Sequence, residues 1–346
     1  MKKRILPAAL SAVLLLAALL LVQAVLIPSR YDNREGHLLC GYYSATDKHD
    51  VIFVGDCEIY EGIVPAVLYE KYGITSYVRG SSQQTVWQSY YVLEETLKKD
   101  PEVKVVVFNV LALKYGETPK ESISRMTLED MRWSKSKFDA IRASMTEDES
   151  LLSYFLPILR YHDRWSDLSA QDLARTFSKH EDITHQGYLM QTETVPVDPT
   201  DTRKPDMLID TALPRRSMEY LEKMQALCEQ YGAELVLIKA PTNSVKYYWY
   251  GEWDAQIVDY AAANDITYYN FIGMDEALGL DWSQDTYDAG LHLNVYGAEK
   301  WTNYIGNLLV TNHGVKDRRG DAELDALWEQ RIHNYHNEKQ QGVNAP

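Results

Sequence analysis

Short apolar runs alternate with segments of helical periodicity along most of the chain. Each run is rich in β-branched or aromatic residues and has a length suited to one strand. The predicted strands are 51–54, 75–78, 103–110, 235–239 and 266–270. The predicted helices between and after them are 61–72, one that begins after Thr85, 216–231, 253–263 and a last one that begins near Gly297. This alternation predicts an α/β fold in which helices cover both faces of a central parallel sheet, giving three layers.

The alternation pauses over a long segment, about residues 115–214. This segment is charged, and its helical stretches lie near 127–144, 147–160 and 168–179. Its last part, Val195 to Asp206, holds three prolines and is typical of a loop. We therefore expect one α/β domain over 51–316 with a mostly helical insertion. Residues 317–346 are expected to form a C-terminal helix and a frayed polar tail.

The amino terminus has the pattern of a membrane anchor. Three basic residues, 2–4, precede an apolar run of 23 positions from Ile5 to Ile27, and a helix needs about 20 residues to cross a bilayer. We predict a transmembrane signal anchor over 1–28 and a connector over 29–50. The basic residues place the amino terminus in the cytoplasm and the remainder outside, at the cell membrane. A cleaved signal peptide, ending near Ala24, is the alternative.

Composition narrows the class of partner. The formal charge of −15 argues against nucleic acid, because binding phosphates requires clustered lysines and arginines. The 25 tyrosines and 8 tryptophans fit a carbohydrate-binding groove, and they also fit ordinary cores. The three cysteines, Cys40, Cys57 and Cys228, are an odd number, so at least one is unpaired or paired with another molecule. The chain is therefore not a disulfide-built scaffold, and a Cys40–Cys57 bridge stays open.

Residues that could take part in catalysis follow the strands at their carboxyl ends or precede the last core helix. They are Asp56, Cys57, Gly80, Asn109, Asp288 and His292. Sites of open α/β sheets lie at the carboxyl ends of the strands, so we expect these residues to meet. Lys239 closes the fourth strand at the same edge, where it lines the pocket or has a structural role.

These blocks resemble those of the SGNH, or GDSL, hydrolases, above all the membrane-anchored members of teichoic-acid D-alanylation and alginate O-acetylation. Gly55-Asp56-Cys57 matches the first block with cysteine in place of the nucleophilic serine, and the segment from His292 to Ala298 is similar to the last block. The resemblance implies a flavodoxin-like sheet. It also implies that Cys57 and His292 are catalytic, and that Gly80 and Asn109 are the oxyanion donors.

The sequence departs from the family pattern at the acidic residue of the triad. The usual aspartate position, three before the histidine, holds Ala289, whereas Asp288 lies four before it. Four residues make about one helical turn, so a locally helical loop would bring Asp288 and His292 to one face. We therefore assign Asp288 as the orienting acid, with Asp285 as a rival.

Together these residues predict acyl transfer. A nucleophile needs a base to take its proton, and the base needs an acceptor that holds its tautomer. A Cys57 thioester would hand its acyl group to an amine or thiol more readily than an ester does, which favours transfer over simple hydrolysis. The resemblance implies an esterase or O-acyltransferase acting on a cell-envelope glycan or teichoic-acid-like polymer. The resemblance implies an integral-membrane O-acyltransferase as a partner. The pattern requires no cofactor and no metal.

Other interpretations stay open. A catalytically silent envelope module would bind a glycan or a membrane acyltransferase and keep Cys57 as a structural residue. In another, Cys57 takes part in a redox or inter-chain disulfide. His333 and His336 have the spacing of a metal-binding pair but fall in a polar terminal helix, which favours a solvated face. The segment 162–164, His-Asp-Arg, binds substrate or forms a structural ion pair.

Overall fold

A computed structural model describes residues 2–27, 37–170, 172–173, 184–201, 208–244 and 249–343. The chain divides into two compact units. The N-terminal unit comprises residues 1–34 and 145–181, and the sheet unit comprises residues 35–144 and 182–346. Most of the helix predicted at 168–179 and the second half of the loop predicted at Val195 to Asp206 lie outside the described residues.

Five strands form the parallel sheet of the sheet unit. They are β1 (Val51–Gly55), β2 (Ser76–Gly80), β3 (Val105–Asn109), β4 (Glu234–Lys239) and β5 (Thr267–Asn270). Their order is β2-β1-β3-β4-β5 and every pair is parallel. This is the flavodoxin-like order. Strand β2 is added on one side of β1, and β3, β4 and β5 are added on the other, so the topological switch point lies between β1 and β3. The predicted α/β fold with a central parallel sheet is confirmed.

The helices of the two units take their bounds as follows. In the N-terminal unit they are α1 (Lys2–Leu26), α7 (Leu152–Phe155) and α8 (Ile158–Tyr161). In the sheet unit they are α2 (Cys57–Tyr60), α3 (Pro65–Tyr72), α4 (Val86–Lys99), α5 (Glu121–Asp130), α6 (Lys135–Ser144), α9 (Arg215–Tyr231), α10 (Gly251–Ala263), α11 (Asp275–Leu278), α12 (Val295–His313) and α13 (Ala322–Val343). Short 3₁₀ turns lie at Cys40–Ser44, Val110–Lys114 and His162–Ser166.

Each face of the sheet packs into its own apolar core. Successive side chains of a strand point to opposite faces, and β1 accordingly sends Val51 and Phe53 into one core and Ile52 and Val54 into the other. Residues of α3 and α12 complete the first core. Residues of α4, α9 and α10 complete the second. A strand buried on both faces reads as a continuous apolar run, which explains why β1 could be recognised.

The N-terminal unit contains a helix where the membrane anchor was predicted. None of the helices in the described part of the chain is long and apolar enough to cross a membrane, so the predicted transmembrane helix is not found. Within this unit, the Arg164 guanidinium donates to the carbonyl of Leu26, at the end of α1.

A long helix occupies most of the C-terminal segment. Helix α13 extends to Val343. Trp328 is buried and stacks on Tyr69 of α3, with ring centroids 4.7 Å apart and an interplanar angle of 8°. Tyr335, two turns further along the same face, is buried as well. The polar composition of this helix belongs to its outer face, and the frayed polar end expected after it stays a prediction, since residues 344–346 lie outside the described residues.

Candidate active site

Cys57 lies at the carboxyl end of β1, beside the topological switch point between β1 and β3. The strand ends at Gly55, and Asp56 is the N-cap of α2, with its carboxylate accepting the N–H of Glu58 at 3.3 Å. Cys57 is therefore the first residue of a short helix. Cys57 as a residue is partly exposed, whereas Asp56 and Glu58 on either side are buried.

His292 and Asp288 lie on the loop that leads into α12. The loop is a turn with two successive left-handed residues, Ala289 (φ 62°) and Gly290 (φ 90°). A helical turn was expected here and is not formed. A Cβ on Gly290 would lie 2.6 Å from Val197 and 2.8 Å from the carbonyl oxygen of Asn243, so the loop requires glycine at this position.

The three predicted catalytic side chains are in contact. His292 Nε2 lies 3.0 Å from Cys57 Sγ, and His292 Nδ1 lies 2.6 Å from Asp288 Oδ2. The His292 backbone N–H also donates to Asp288 Oδ1 at 2.7 Å, which holds the carboxylate on the imidazole edge. The rival acid, Asp285, is buried and pairs with Lys300 instead.

Cys57 and His292 affect each other's protonation. Burial raises the pKa of the Cys57 thiol to about 11, and His292 opposes that rise. Burial alone would lower the pKa of His292, but Cys57 and the hydrogen bond with Asp288 raise it, to about 12. These surroundings stabilise the imidazolium that forms when His292 takes a proton from Cys57. A histidine that receives the proton of a nucleophile needs this stabilisation.

A buried ionic network lies behind Cys57. Lys239, at the end of β4 and fully buried, donates to both carboxylate oxygens of Glu58 at 2.8 Å and to the carbonyl of Ala240 at 2.9 Å. Burial and the charge of Glu58 raise the pKa of Asp56 to about 6, against the opposing effect of Lys239. The network ties the carboxyl ends of β1 and β4 together beneath the nucleophile position.

Asn109 belongs to this network. Its amide nitrogen donates to Asp56 Oδ1 at 3.1 Å and to Glu58 Oε2 at 2.8 Å, and its oxygen accepts the N–H of Ala240 at 3.3 Å. The two amide hydrogens therefore point at carboxylates. An oxyanion role for Asn109 stays a prediction, and it requires one of these hydrogen bonds to be released.

Gly80, the other predicted oxyanion donor, ends β2 next to the Cys57 motif. It pairs in register with Gly55. A Cβ at this position would lie 3.1 Å from the Gly55 carbonyl oxygen and 3.3 Å from the Cβ of Tyr60. The backbone of Gly80 can approach the motif this closely because the residue has no side chain. Its role as a donor stays a prediction.

Sequence inspection missed a second carboxylate beside His292. Glu61 Oε2 lies 3.9 Å from His292 Nδ1. Tyr287 donates to the same oxygen at 2.9 Å, and Gln191 donates to Oε1 at 3.1 Å. Glu61 is four residues after Cys57, and its N–H donates to the Cys57 carbonyl. That one-turn spacing is the signal that could have identified it.

A lysine near Cys57 was missed as well. Lys114 lies at the end of the turn that follows β3, within electrostatic range of Asp56, Glu58 and Cys57. Burial lowers its pKa, and the charges of Glu58 and Asp56 oppose this effect. It adds a second positive charge, besides Lys239, to a site with several carboxylates.

The remaining candidates lie elsewhere. All three cysteines are free, so the Cys40–Cys57 bridge is not formed. His333 contacts Asn337, and His336 contacts Glu70. No group of three metal-binding side chains occurs among the described residues. In the N-terminal unit, His162 contacts its neighbour Asp163 at 3.0 Å, as in the ion-pair interpretation of that segment.

In this site a thiol contacts an imidazole, and the imidazole contacts an orienting carboxylate. The three groups lie at the carboxyl ends of the strands, where open α/β sheets usually have their sites. Chemically, this arrangement can transfer the proton of a thiol to a histidine and expose a sulfur nucleophile. No family model matches the chain, and no curated protein matches it.

Proposed function

We propose that this chain is an acyl-transfer enzyme, an esterase or O-acyltransferase, in which Cys57 is the nucleophile. The observation that carries the proposal is the contact series from Cys57 Sγ to His292 Nε2, at 3.0 Å, and from His292 Nδ1 to Asp288 Oδ2, at 2.6 Å. A nucleophile, a base and an orienting acid within hydrogen-bond distance form the geometric signature of covalent acyl transfer.

The first half-reaction forms a thioester. Cys57 Sγ attacks the acyl carbonyl carbon while its proton moves to His292 Nε2, and Asp288 stabilises the resulting imidazolium. The bond from the acyl carbon to the ester oxygen then breaks. The leaving oxygen takes the proton from Nε2, so that an alcohol departs and the acyl group stays on sulfur. Gly80 and Asn109 are the proposed donors to the oxyanion of this step.

The second half-reaction returns the enzyme to its starting state. An acceptor hydroxyl, or water in the esterase case, attacks the thioester carbon and gives its proton to His292 Nε2. The carbon–sulfur bond breaks, and the Cys57 thiolate recovers a proton from the imidazolium. A thioester hands its acyl group to an amine or thiol more readily than an ester does, which would favour transfer over hydrolysis with an acceptor of those classes.

The proposed substrate is a cell-envelope glycan or a teichoic-acid-like polymer, and the proposed location is the outer side of the cell membrane. The resemblance to the SGNH hydrolases of envelope modification supports both. An integral-membrane O-acyltransferase is the proposed partner. Fractionation of cells that produce the full chain tests the location: recovery in the cytosol alone would contradict it.

Intact-mass measurement after brief exposure to an activated acetyl ester tests the chemistry. Wild type is expected to gain one acetyl group, Cys57→Ala none, and His292→Ala one only after a much longer exposure. Cys228→Ala is the matched control. That cysteine is buried, and burial raises its pKa to about 12, so its removal should leave the labelling unchanged.

Two other outcomes would overturn the proposal. Equal labelling of wild type, Cys57→Ala and His292→Ala would show that the acetyl group reacts elsewhere. Absence of labelling in all variants would favour the silent binding module, in which Cys57 and His292 have a structural role.

A further inference from the structure

Glu61 is a buried carboxylate on the imidazole side of the site. It follows α2 directly, and its side chain is 2% exposed. Its Oε2 is 3.9 Å from His292 Nδ1, which is longer than a hydrogen bond but close enough for direct electrostatic interaction. Asp288 occupies the hydrogen-bonding position on the same nitrogen, at 2.6 Å. Two carboxylates therefore approach one imidazole nitrogen, at two different distances.

Two neighbours fix the position of Glu61. The Tyr287 hydroxyl donates to Oε2 at 2.9 Å, and the Gln191 amide donates to Oε1 at 3.1 Å. The Tyr287 ring also stacks on the His292 ring, with centroids 6.0 Å apart and an interplanar angle of 16°. Tyr287 thus contacts both the imidazole and the carboxylate. Among the described residues, charged and titratable groups in contact with the imidazole or close to it include Asp288, Glu61, Tyr287 and Cys57.

We propose that Glu61 is a positioning residue of the acyl-transfer site, a second carboxylate that stabilises the imidazolium of His292 together with Asp288. This inference rests on the proposed function for its catalytic meaning. Glu61 keeps Nδ1 in a negative environment, which directs the proton to Nδ1 and leaves Nε2 as the acceptor that faces Cys57. Tyr287 holds Glu61 back from Nδ1, so that Asp288 keeps the direct hydrogen bond.

The two carboxylates near His292 differ in exposure and in the segment that carries them. Asp288 is partly exposed, and it belongs to a turn held in left-handed backbone conformations. Glu61, by contrast, is buried and is attached to the same short segment as the nucleophile. A buried charge is screened less than an exposed one. Glu61 therefore adds a negative charge from the segment that carries Cys57, rather than from the 286–292 turn that carries Asp288.

The direct test measures the pKa of His292 by NMR of the imidazole ring in the full chain carrying Cys57→Ala, which removes the coupled thiol. Glu61→Gln is expected to lower the pKa of His292 by about one unit, a tenfold change in its protonation equilibrium. Asp288→Asn should lower it as well. His292→Asn identifies the resonance among the nine histidines.

Glu95→Gln is the matched control. Glu95 likewise accepts a hydrogen bond from a tyrosine hydroxyl, that of Tyr43, and a second from Ser134. Its neutralisation should leave the pKa of His292 unchanged. An equal pKa of His292 in Glu61→Gln and in the unchanged background would overturn the inference.

A second variant covers the case in which Glu61→Gln does not fold. Tyr287→Phe keeps the ring and removes the hydroxyl that neutralises part of the Glu61 charge. We expect the pKa of His292 to rise in this variant, and a fall or no change would contradict the role of Glu61.

The acylation rate of Cys57 separates this inference from the proposed function. With Cys57 intact, Glu61→Gln should slow acetylation at pH 7 about tenfold, in line with the weaker base. Cys57 that is not acetylated in any variant would overturn the proposed function, while the NMR titration would still decide the electrostatic role of Glu61. An unchanged acetylation rate together with an unchanged pKa would overturn the inference alone.

Discussion

Lys239 carries the positive charge that offsets the cost of burying the Glu58 carboxylate beneath Cys57. Glu58 is 2% exposed and Lys239 is not exposed at all. Removing charged groups from water is costly, and the cost is offset only where the partners and hydrogen bonds are complete. Both oxygens of Glu58 accept hydrogen bonds from Lys239, and Asn109 adds a third. Each member therefore depends on the others.

The first prediction concerns Lys239→Met. Removal of the ammonium leaves the Glu58 carboxylate buried without its cation, a change that typically costs about 3–5 kcal/mol in the free energy of unfolding. The double variant Lys239→Met/Glu58→Gln leaves a neutral pair and should be more stable than Lys239→Met alone. Urea denaturation of both single variants, the double variant and wild type gives the coupling energy.

Lys98→Met is the control for this cycle. Lys98 pairs with Glu94 at 3.0 Å on the outer face of α4, where the lysine is about half exposed. Exposed pairs contribute about 0–1 kcal/mol, so this variant should be nearly as stable as wild type. Equal costs for Lys98→Met and Lys239→Met would contradict the assigned importance of burial.

At the residue scale, the sequence identifies what lies in short linear motifs. Cys57 could be selected because it follows a predicted strand, and His292 because it precedes a predicted helix. Glu61 carried a weaker signal, its one-turn spacing from Cys57. The pairing of Lys239 with Glu58 joins residues 181 positions apart, and no local pattern reveals such a contact. The hydrogen-bond partners of Asn109 are non-local in the same way.

The 286–292 turn is the element that delivers two of the three proposed catalytic side chains. The Val195 carbonyl accepts the N–H of Ala289, and the Gly290 carbonyl accepts the N–H of Asn243 at 2.7 Å. The Thr286 hydroxyl accepts the N–H of Gly290 at 2.8 Å. Backbone contacts on both sides therefore hold a conformation that non-glycine residues rarely adopt.

The second prediction concerns Gly290→Ala. The new methyl group would meet Val197 and the Asn243 carbonyl, at a backbone φ of 90°. Strain of this kind costs about 1–3 kcal/mol. A displacement of Asp288 and His292 by about 1 Å would reduce the acylation rate by about 10²-fold. Thermal unfolding and the acetylation assay measure the two effects separately.

Gly279→Ala separates backbone strain from steric contact. Gly279 ends α11 at φ 68°, and a Cβ there would meet no atom within 4 Å. The Gly279→Ala variant should lose about 1–2 kcal/mol in the free energy of unfolding, because alanine is strained in the left-handed conformation. Its acylation rate should equal that of wild type. A similar loss of activity in both variants would argue against a specific role for the turn at Gly290.

Strands and helices that are marked by a local apolar pattern were predicted well, whereas the residues at which one element ends and the next begins were not. The strands β1 to β5 follow from their apolar runs and differ from the predictions by a few residues at their ends. The helix expected at 61–72 begins at Pro65, since proline suits the first helical turn. Before it, a Cβ on Gly62 would lie 2.4 Å from Trp301 of α12. That constraint comes from tertiary packing and has no trace in the periodicity.

At the scale of the whole molecule, the long insertion is divided between two units. Residues 145–181 belong to the N-terminal unit, whereas 182–214 belong to the sheet unit. The returning part contributes Gln191 to Glu61 and backbone hydrogen bonds to the 286–292 turn. The sequence marks this segment only as an interruption of the alternation. Its role at the site depends on where the chain returns, which is decided by packing.

Stability of the whole molecule should respond to pH with opposite signs at two buried aspartates. The pKa of Asp56 is raised to about 6 from its ordinary value of 3.8 by burial and by Glu58. Its contribution to stability is therefore complete below about pH 3.8 and is lost as pH rises through 6. For Asp100, burial alone would raise the pKa, but hydrogen bonds from His49 lower it. Its contribution is present above pH 3.8 and is lost as pH falls through the lowered pKa.

The third prediction compares Asp56→Asn with Asp100→Asn across this range. Asparagine at 56 keeps the acceptor oxygen for Glu58 N–H without the charge, so the variant should gain on the order of 1–3 kcal/mol over wild type at pH 7.5 and nothing at pH 4. Asp100→Asn should be less stable than wild type at pH 7.5, and this cost should shrink as the pH falls below 4. Urea denaturation at intervals from pH 3 to 8 measures both differences. A pH-independent difference for Asp56→Asn would contradict the raised pKa of Asp56. The opposite slopes follow from one physical distinction: Asp56 shares its burial with another carboxylate, whereas Asp100 accepts the backbone N–H of His49 and pairs with Lys48.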